Sequence, residues 1–258
     1  MTGDLKATSK KPAQSSDMTL LGYWAAHEQY SMQDLLRFVV EAEKNGFTTT
    51  MTSDHFHPWW HDNAYGNFAW VWIAAAAERT KRMQFVTGVT APIFRYHPAI
   101  IAQAFASLDI LYSGRIGLGL GTGESMNETP LGFDWPRPKA RLKRVVEAVQ
   151  IIRKLWQQKT KFWRATLLED AFNTSISDPR KLEQKAKQQV PDQKIKESIE
   201  ITTSIEDCIK SIEEYFKVGF TKVYIHSTSP NEIEFIREFG KKVLPYFKEQ
   251  TKEKILHV

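Results

Sequence analysis

One unit recurs along this chain and restricts what it can fold into. A short apolar run leads into a polar turn and then an amphipathic helix, and the pattern appears four times between Thr19 and Trp156. TLLGYW (19–24) reads as the first strand, and Ser31 caps a helix running to Lys44, with Leu35, Leu36, Val39, Val40 and Ala42 available to face inward. Gly46 ends that helix. TTTMTS (48–53) is a second strand, followed by a helix from about Phe68 to Arg79. MQFVTGV (83–89) and a helix over 99–111 make the third unit, and RIGLGLG (115–121) and a helix over 139–156 the fourth. Strands that alternate with helices imply parallel strands and an α/β fold.

After Trp156 the rhythm breaks. KFWRATLL (161–168) reads as an extended segment, and a polar helix is expected over 176–189 behind Asp178-Pro179. The repeat then returns as a helix over 204–218, a strand KVYIH (222–226) and a last helix over 231–247. A closed (β/α)₈ barrel requires eight strands. The expectation is therefore a TIM-like barrel, shortened or incomplete in its second half. It forms one domain over residues 19–250, with a disordered tail at 1–18 and a short tail at 251–258.

Composition narrows the function classes. No apolar stretch approaches the roughly 20 residues a membrane-spanning helix needs. The first residues lack the apolar segment of a secretory signal, and Cys208 is the single cysteine, which together point to a cytoplasmic protein without disulfides. The net charge is +5, but both signs are mixed and no basic stripe carries interleaved aromatics, so neither nucleic acid nor membrane is an expected partner.

In parallel α/β folds, ligands meet the C-terminal ends of the strands. Glu28 follows strand one, Asp54 and His55 follow strand two, Gly88-Val89 end strand three, GTGE (121–124) ends strand four, and His226 ends the last strand. Three chemistries are open to that set. His55-x-His57, with His226, resembles the start of a zinc hydrolase site. A nucleotide loop is disfavoured, because GLGLGTGE satisfies GxGxxG in no register. Its glycines still permit close approach of a planar ring, and a ring-facing role is expected for Gly121 and Gly123, which Glu124 and Asn127 follow. The third chemistry is proton transfer, with His55 as base and Glu124 as the complementary carboxyl group. Trp59 offers an apolar wall, whereas Trp60 reads as ordinary loop packing.

GYWAAHEQY (22–30), SDHFHPW (53–59), TGVTAPIFRYHPAIIAQAFASL (87–108) and GLGTGESMNE (119–128) resemble the luciferase-like oxidoreductases. Within them, the chain is most similar to the coenzyme F420-dependent dehydrogenases, in the glucose-6-phosphate dehydrogenase branch. The resemblance implies F420 as cofactor, with flavin mononucleotide (FMN) as the alternative, and hydride transfer from a hydroxyl-bearing carbon of a small molecule. It implies that His55 is the base, that Glu124, Trp59 and Glu28 share the catalytic centre, and that Asp54 and Asn127 contact the cofactor. Gly88-Val89 would form a strand bulge with a non-proline cis bond behind the ring. The family's long stretch between the positions of Trp156 and Lys161 is missing here, and two basic positions of the sugar-phosphate site fall at Asn173 and Ser198. Open strand edges left by that gap would favour a homodimer. A relative that has lost its cofactor is the remaining alternative.

Overall fold

A computed structural model describes residues 20–157, the backbone of 166–168, and residues 204–248. Its sheet has six strands, all parallel, in the order β5-β4-β3-β2-β1-β6. They are β1 (Leu20–Ala25), β2 (Thr49–Thr52), β3 (Gln84–Thr87), β4 (Ile116–Gly119), β5 (Thr166–Leu168) and β6 (Lys222–Ile225). The helices are α1 (Met32–Lys44), α2 (Ala69–Arg79), α3 (Pro98–Leu111), the single turn α4 (Ser125–Glu128), α5 (Pro138–Gln157), α6 (Ile205–Lys217) and α7 (Glu232–Lys242).

Local chemistry sets the helix limits. The Ser31 hydroxyl accepts the Asp34 N–H at 3.1 Å, and Leu35, Phe38, Val39 and Ala42 then recur on one buried face of α1. Gly46 leaves that helix with φ of +96°, a conformation that disfavours any residue with a Cβ. Ser204 and Asn231 cap α6 and α7 in the same manner as Ser31. At α3 the cap is His97, whose Nδ1 accepts from Ala99 N at 3.2 Å, with Pro98 supplying the first helical φ. The last helix stops at Lys242 with a turn at 243, and helical geometry resumes over 244–248.

β2 and β4 are buried at every residue, as strands covered on both faces must be. Gly22 opposes Tyr224 in register, and a Cβ there would lie 2.1 Å from the Tyr224 ring, so the β1–β6 pairing depends on glycine. Trp72, Phe85, Phe105, Leu35 and Ile152 join the strands to the helix layer in the main core.

The expected third strand stops two residues early. Gly88 N still donates to Thr52 O at 2.8 Å, but the cis Gly88–Val89 bond then steps out of the ladder, and pairing resumes at Thr90 opposite Leu120. The result is a bulge at the end of β3. The extended segment after Trp156 contributes β5 beside β4. Among the described residues no pairing joins β5 to β6, so six strands stand where a complete barrel has eight. The helix expected over 176–189, Asn173, Ser198 and the tails at 1–18 and 251–258 lie outside the described residues. No described helix is long and apolar enough to cross a membrane.

Candidate active site

The C-terminal ends of the strands surround a cavity of about 280 Å³. Glu28, Asp54, His55, Trp59, Gly88, Val89, Gly123, Glu124 and Asn127 all reach its wall, joined by Trp24, Gln29, Ser53, Trp60, Arg95 and His226.

His55 occupies the centre. Its Nδ1 lies 3.5 Å from Glu28 Oε1 and its Nε2 lies 3.5 Å from Glu124 Oε2, with all three side chains largely buried. The Trp59 ring tilts over the imidazole at 5.5 Å between centroids. Two loops hold this arrangement. Asn67 donates from Nδ2 to His27 O and Tyr30 O, and Tyr65 N donates to Glu28 O, which binds the β2–α2 loop to the end of β1. Asn127 accepts from Phe56 N at 2.8 Å and His57 N at 3.1 Å through one oxygen, and its Nδ2 donates to Glu124 Oε2 at 3.3 Å. Its amide thus fixes the histidine loop and orients Glu124.

Asp54 is similarly committed to the protein. Its carboxylate accepts from Thr90 Oγ1 at 2.7 Å, Trp70 Nε1 at 3.2 Å, Tyr96 OH at 3.2 Å and Arg95 Nη2 at 3.3 Å. Arg95 also donates to Asp54 O at 2.9 Å, and its own N–H goes to Glu128 Oε2 at 2.9 Å. Burial raises the Glu128 carboxyl, and burial together with the Asp54 charge raises the Tyr96 phenol. The bulge has its own support. Gly121 stands behind Val89 rather than on the cavity wall, and a Cβ at that position would come within 2.3 Å of Val89 Cγ2. Gly121 therefore leaves room for the bulge residue, while Gly123 faces the cavity.

Trp60 departs from its expected place in loop packing. It is 49% exposed and lines the cavity. Arg95, Ser53, Trp24 and Gln29 were not expected here; FRYHP (94–98), which leads from the bulge into α3, was the available signal for Arg95. His226 lies at the mouth, stacked against Trp24 at 6.1 Å, with Nε2 2.9 Å from Gln29 Oε1. Burial lowers its imidazole, with the Glu28 charge opposing. The histidines do not assemble a metal site. His57 Nδ1 turns to Pro58 O at 2.6 Å, and among the described residues no three His, Cys, Asp or Glu side chains come together to hold an ion.

Behind His55 sits His27, fully buried edge-on against Trp72, with neither ring nitrogen hydrogen-bonded. Burial, with the charge of His55 adding to it, brings its imidazole down to about 3. An unfolded chain binds a proton at this residue below the ordinary histidine value of 6.5, and the folded protein does not, so the stability is present above 6.5 and is lost as pH falls. Between pH 7 and pH 5 the wild type should lose about 2 kcal/mol more than His27→Phe, measured by urea unfolding. Equal losses would show that His27 takes up a proton without unfolding.

A parallel α/β sheet with a carboxylate–imidazole–carboxylate cluster at its strand ends places the candidate residues where ligands meet such folds. The chain belongs to the luciferase-like monooxygenase family, whose profile matches residues 15–181. An F420-dependent glucose-6-phosphate dehydrogenase from Segniliparus rotundus is 47% identical over 139 residues, which is 54% of this chain and 42% of the relative. One from Kribbella flavida is 49% identical over 137 residues, covering 53% and 41%. These matches span about two fifths of the length of those relatives. Among solved structures, an F420-dependent secondary alcohol dehydrogenase in complex with an F420-acetone adduct superposes with a TM-score of 0.77 at 27% identity, covering 88% of this chain and 98% of the other. The F420-dependent tetrahydromethanopterin reductase from Methanopyrus kandleri shares the fold, with a TM-score of 0.64 at 17% identity.

Proposed function

We propose that the protein is an F420-dependent dehydrogenase acting on a small secondary alcohol, with His55 as general base. The observation that carries this reading is the position of His55 on the wall of the strand-end cavity, 3.5 Å from a carboxylate on either side. The residues suit a deazaflavin ring. Gly88, Val89 and Gly123 give one wall a backbone character that a flat ring can approach, and the proton-handling groups gather beside it. When bound, the deazaflavin supplies the hydride acceptor. His55 takes the hydroxyl proton of the substrate, Glu28 steadies the positive charge that develops on the imidazole, and Glu124 offers a carboxyl group on the cofactor side. Trp59 and Trp60 exclude water from the reacting carbon. FMN in place of F420 is the secondary reading for the same pocket.

Charge favours an alcohol over a sugar phosphate. Among the described residues of the cavity wall, Glu28 and Glu124 face inward, and the guanidinium of Arg95 is bound to Asp54. Asn173 and Ser198 bring no charge of their own. With oxidised F420, 2-propanol should bleach the cofactor and glucose 6-phosphate should not. Bleaching by glucose 6-phosphate alone would reverse that assignment. A homodimer belongs to the same proposal, supported by the unpaired β5 and β6 edges among the described residues and by exposed Val71, Ile100, Ile110 and Leu111. A monomer mass in sedimentation equilibrium would remove it.

A further inference from the structure

Ser53 sits where β2 ends against β1, almost wholly buried. Its hydroxyl oxygen accepts the backbone N–H of His27 at 3.0 Å. Its proton goes to Glu28 Oε2 at 2.9 Å. A serine has one O–H to give, so the whole donor capacity of this hydroxyl is spent on one carboxylate oxygen. The other oxygen, Oε1, is then turned toward His55 Nδ1. Both of those atoms are buried without a hydrogen-bond partner, and each is the polar atom that the other faces, at 3.5 Å.

A carboxylate can only accept, so an imidazole nitrogen buried 3.5 Å from it is matched to it as N–H at Nδ1. The two carboxylates compete for the ring's one N–H: Glu124 Oε2 already accepts from Asn127 Nδ2 at 3.3 Å, whereas Glu28 Oε1 has no donor but His55, so the neutral ring gives its N–H to Glu28 and carries its lone pair at Nε2. The alternative tautomer would set a lone pair against the Glu28 carboxylate and close Nε2 to an incoming proton. The wrong tautomer of a catalytic imidazole can cost orders of magnitude in rate.

Resting on the role proposed above for His55, we infer that Ser53 is a positioning residue: it holds Glu28 in the orientation that fixes the Nδ1–H tautomer of His55 and keeps Nε2 open as the base. Without the hydroxyl, Glu28 Oε2 is a buried acceptor with no donor, and the side chain turns to find one. Its grip on the imidazole is then lost, although Ser53 never touches the substrate.

Long-range ¹H–¹⁵N correlation spectra of the free protein, above pH 8, read the tautomer of each histidine, with His55 assigned by its absence from His55→Ala. The wild type should show Nδ1–H at His55. Ser53→Ala should show a mixture, Ser53→Thr should restore the wild-type pattern, and Ser53→Ala should change nothing further in a Glu28→Gln background. Ser53→Cys, a weaker donor of similar size, supplies the mixture should Ser53→Ala fail to fold. Turnover with F420 and alcohol should follow, with kcat down about 10-fold in Ser53→Ala and KM little changed. An unmixed Nδ1–H signal in both Ser53→Ala and Ser53→Cys, or an equal shift in the Glu28→Gln background, would overturn the inference. The predicted tautomer pattern in a protein that moves no hydride would leave the positioning role standing and sink the dehydrogenase reading instead.

Discussion

In the His55→Ala protein, alcohol-dependent reduction of F420 is expected to fall by about 10²–10⁴-fold while F420 affinity changes little. The size of the effect follows from the isolation of the imidazole. Among the described residues of the wall the other imidazole, His226, is engaged by Gln29 and Trp24, and Glu28 and Glu124 are engaged by Ser53 and Asn127. A water molecule would have to replace the base in a pocket walled by tryptophan. The cofactor-facing backbone of Gly88, Val89 and Gly123 is untouched by the substitution, which is why binding should survive. Steady-state rates beside a binding titration separate the two quantities. An unchanged rate would remove His55 from the mechanism.

Asp54→Ala should act on a different quantity, the stability of the fold, at a cost of about 3–5 kcal/mol. Its carboxylate is the common acceptor for Trp70 on α2, Thr90 after the bulge, and Arg95 and Tyr96 before α3. Removing it leaves a buried guanidinium without its counter-charge and three further donors without an acceptor. The resemblance to F420 enzymes gives the residue a role at the ring, and weaker cofactor binding by this variant would be ambiguous unless its stability were known. Urea unfolding of the free protein resolves the two. A loss under about 1 kcal/mol would mean that Arg95 re-pairs with Glu128, whose Oε2 already meets its backbone N–H.

What was legible in the sequence follows the range of the interactions involved. Helix starts were readable because their caps are local: Ser31, Ser204 and Asn231 each bond to an N–H three residues on. The parallel pairing of the strands was implied by alternation alone. The end of β3 was not, because nothing in MQFVTGV announces that Gly88-Val89 leaves the ladder; only the likeness to a family supplied the bulge. The candidate site residues are legible from their position after strands, yet their partners lie far away in the chain. Asn127 meets Phe56 and His57 across about 70 residues, so its duty to the loop could not be read from GTGESMNE. Gly121 and Gly123 looked alike in sequence, and packing separates them, one behind Val89 and one on the cavity wall. Ser53 was overlooked because a serine before Asp54 carries no chemistry until Glu28 is folded against it.

The account depends most on whether this shortened fold holds a deazaflavin. Fluorescence titration of the purified protein with oxidised F420 tests that directly, with FMN titrated in parallel. Saturable quenching at micromolar F420, and none of comparable strength with FMN, is the predicted result. A folded protein, verified by circular dichroism, that leaves F420 fluorescence unchanged would contradict it and make SDHFHPWWHD the remnant of a site without its cofactor.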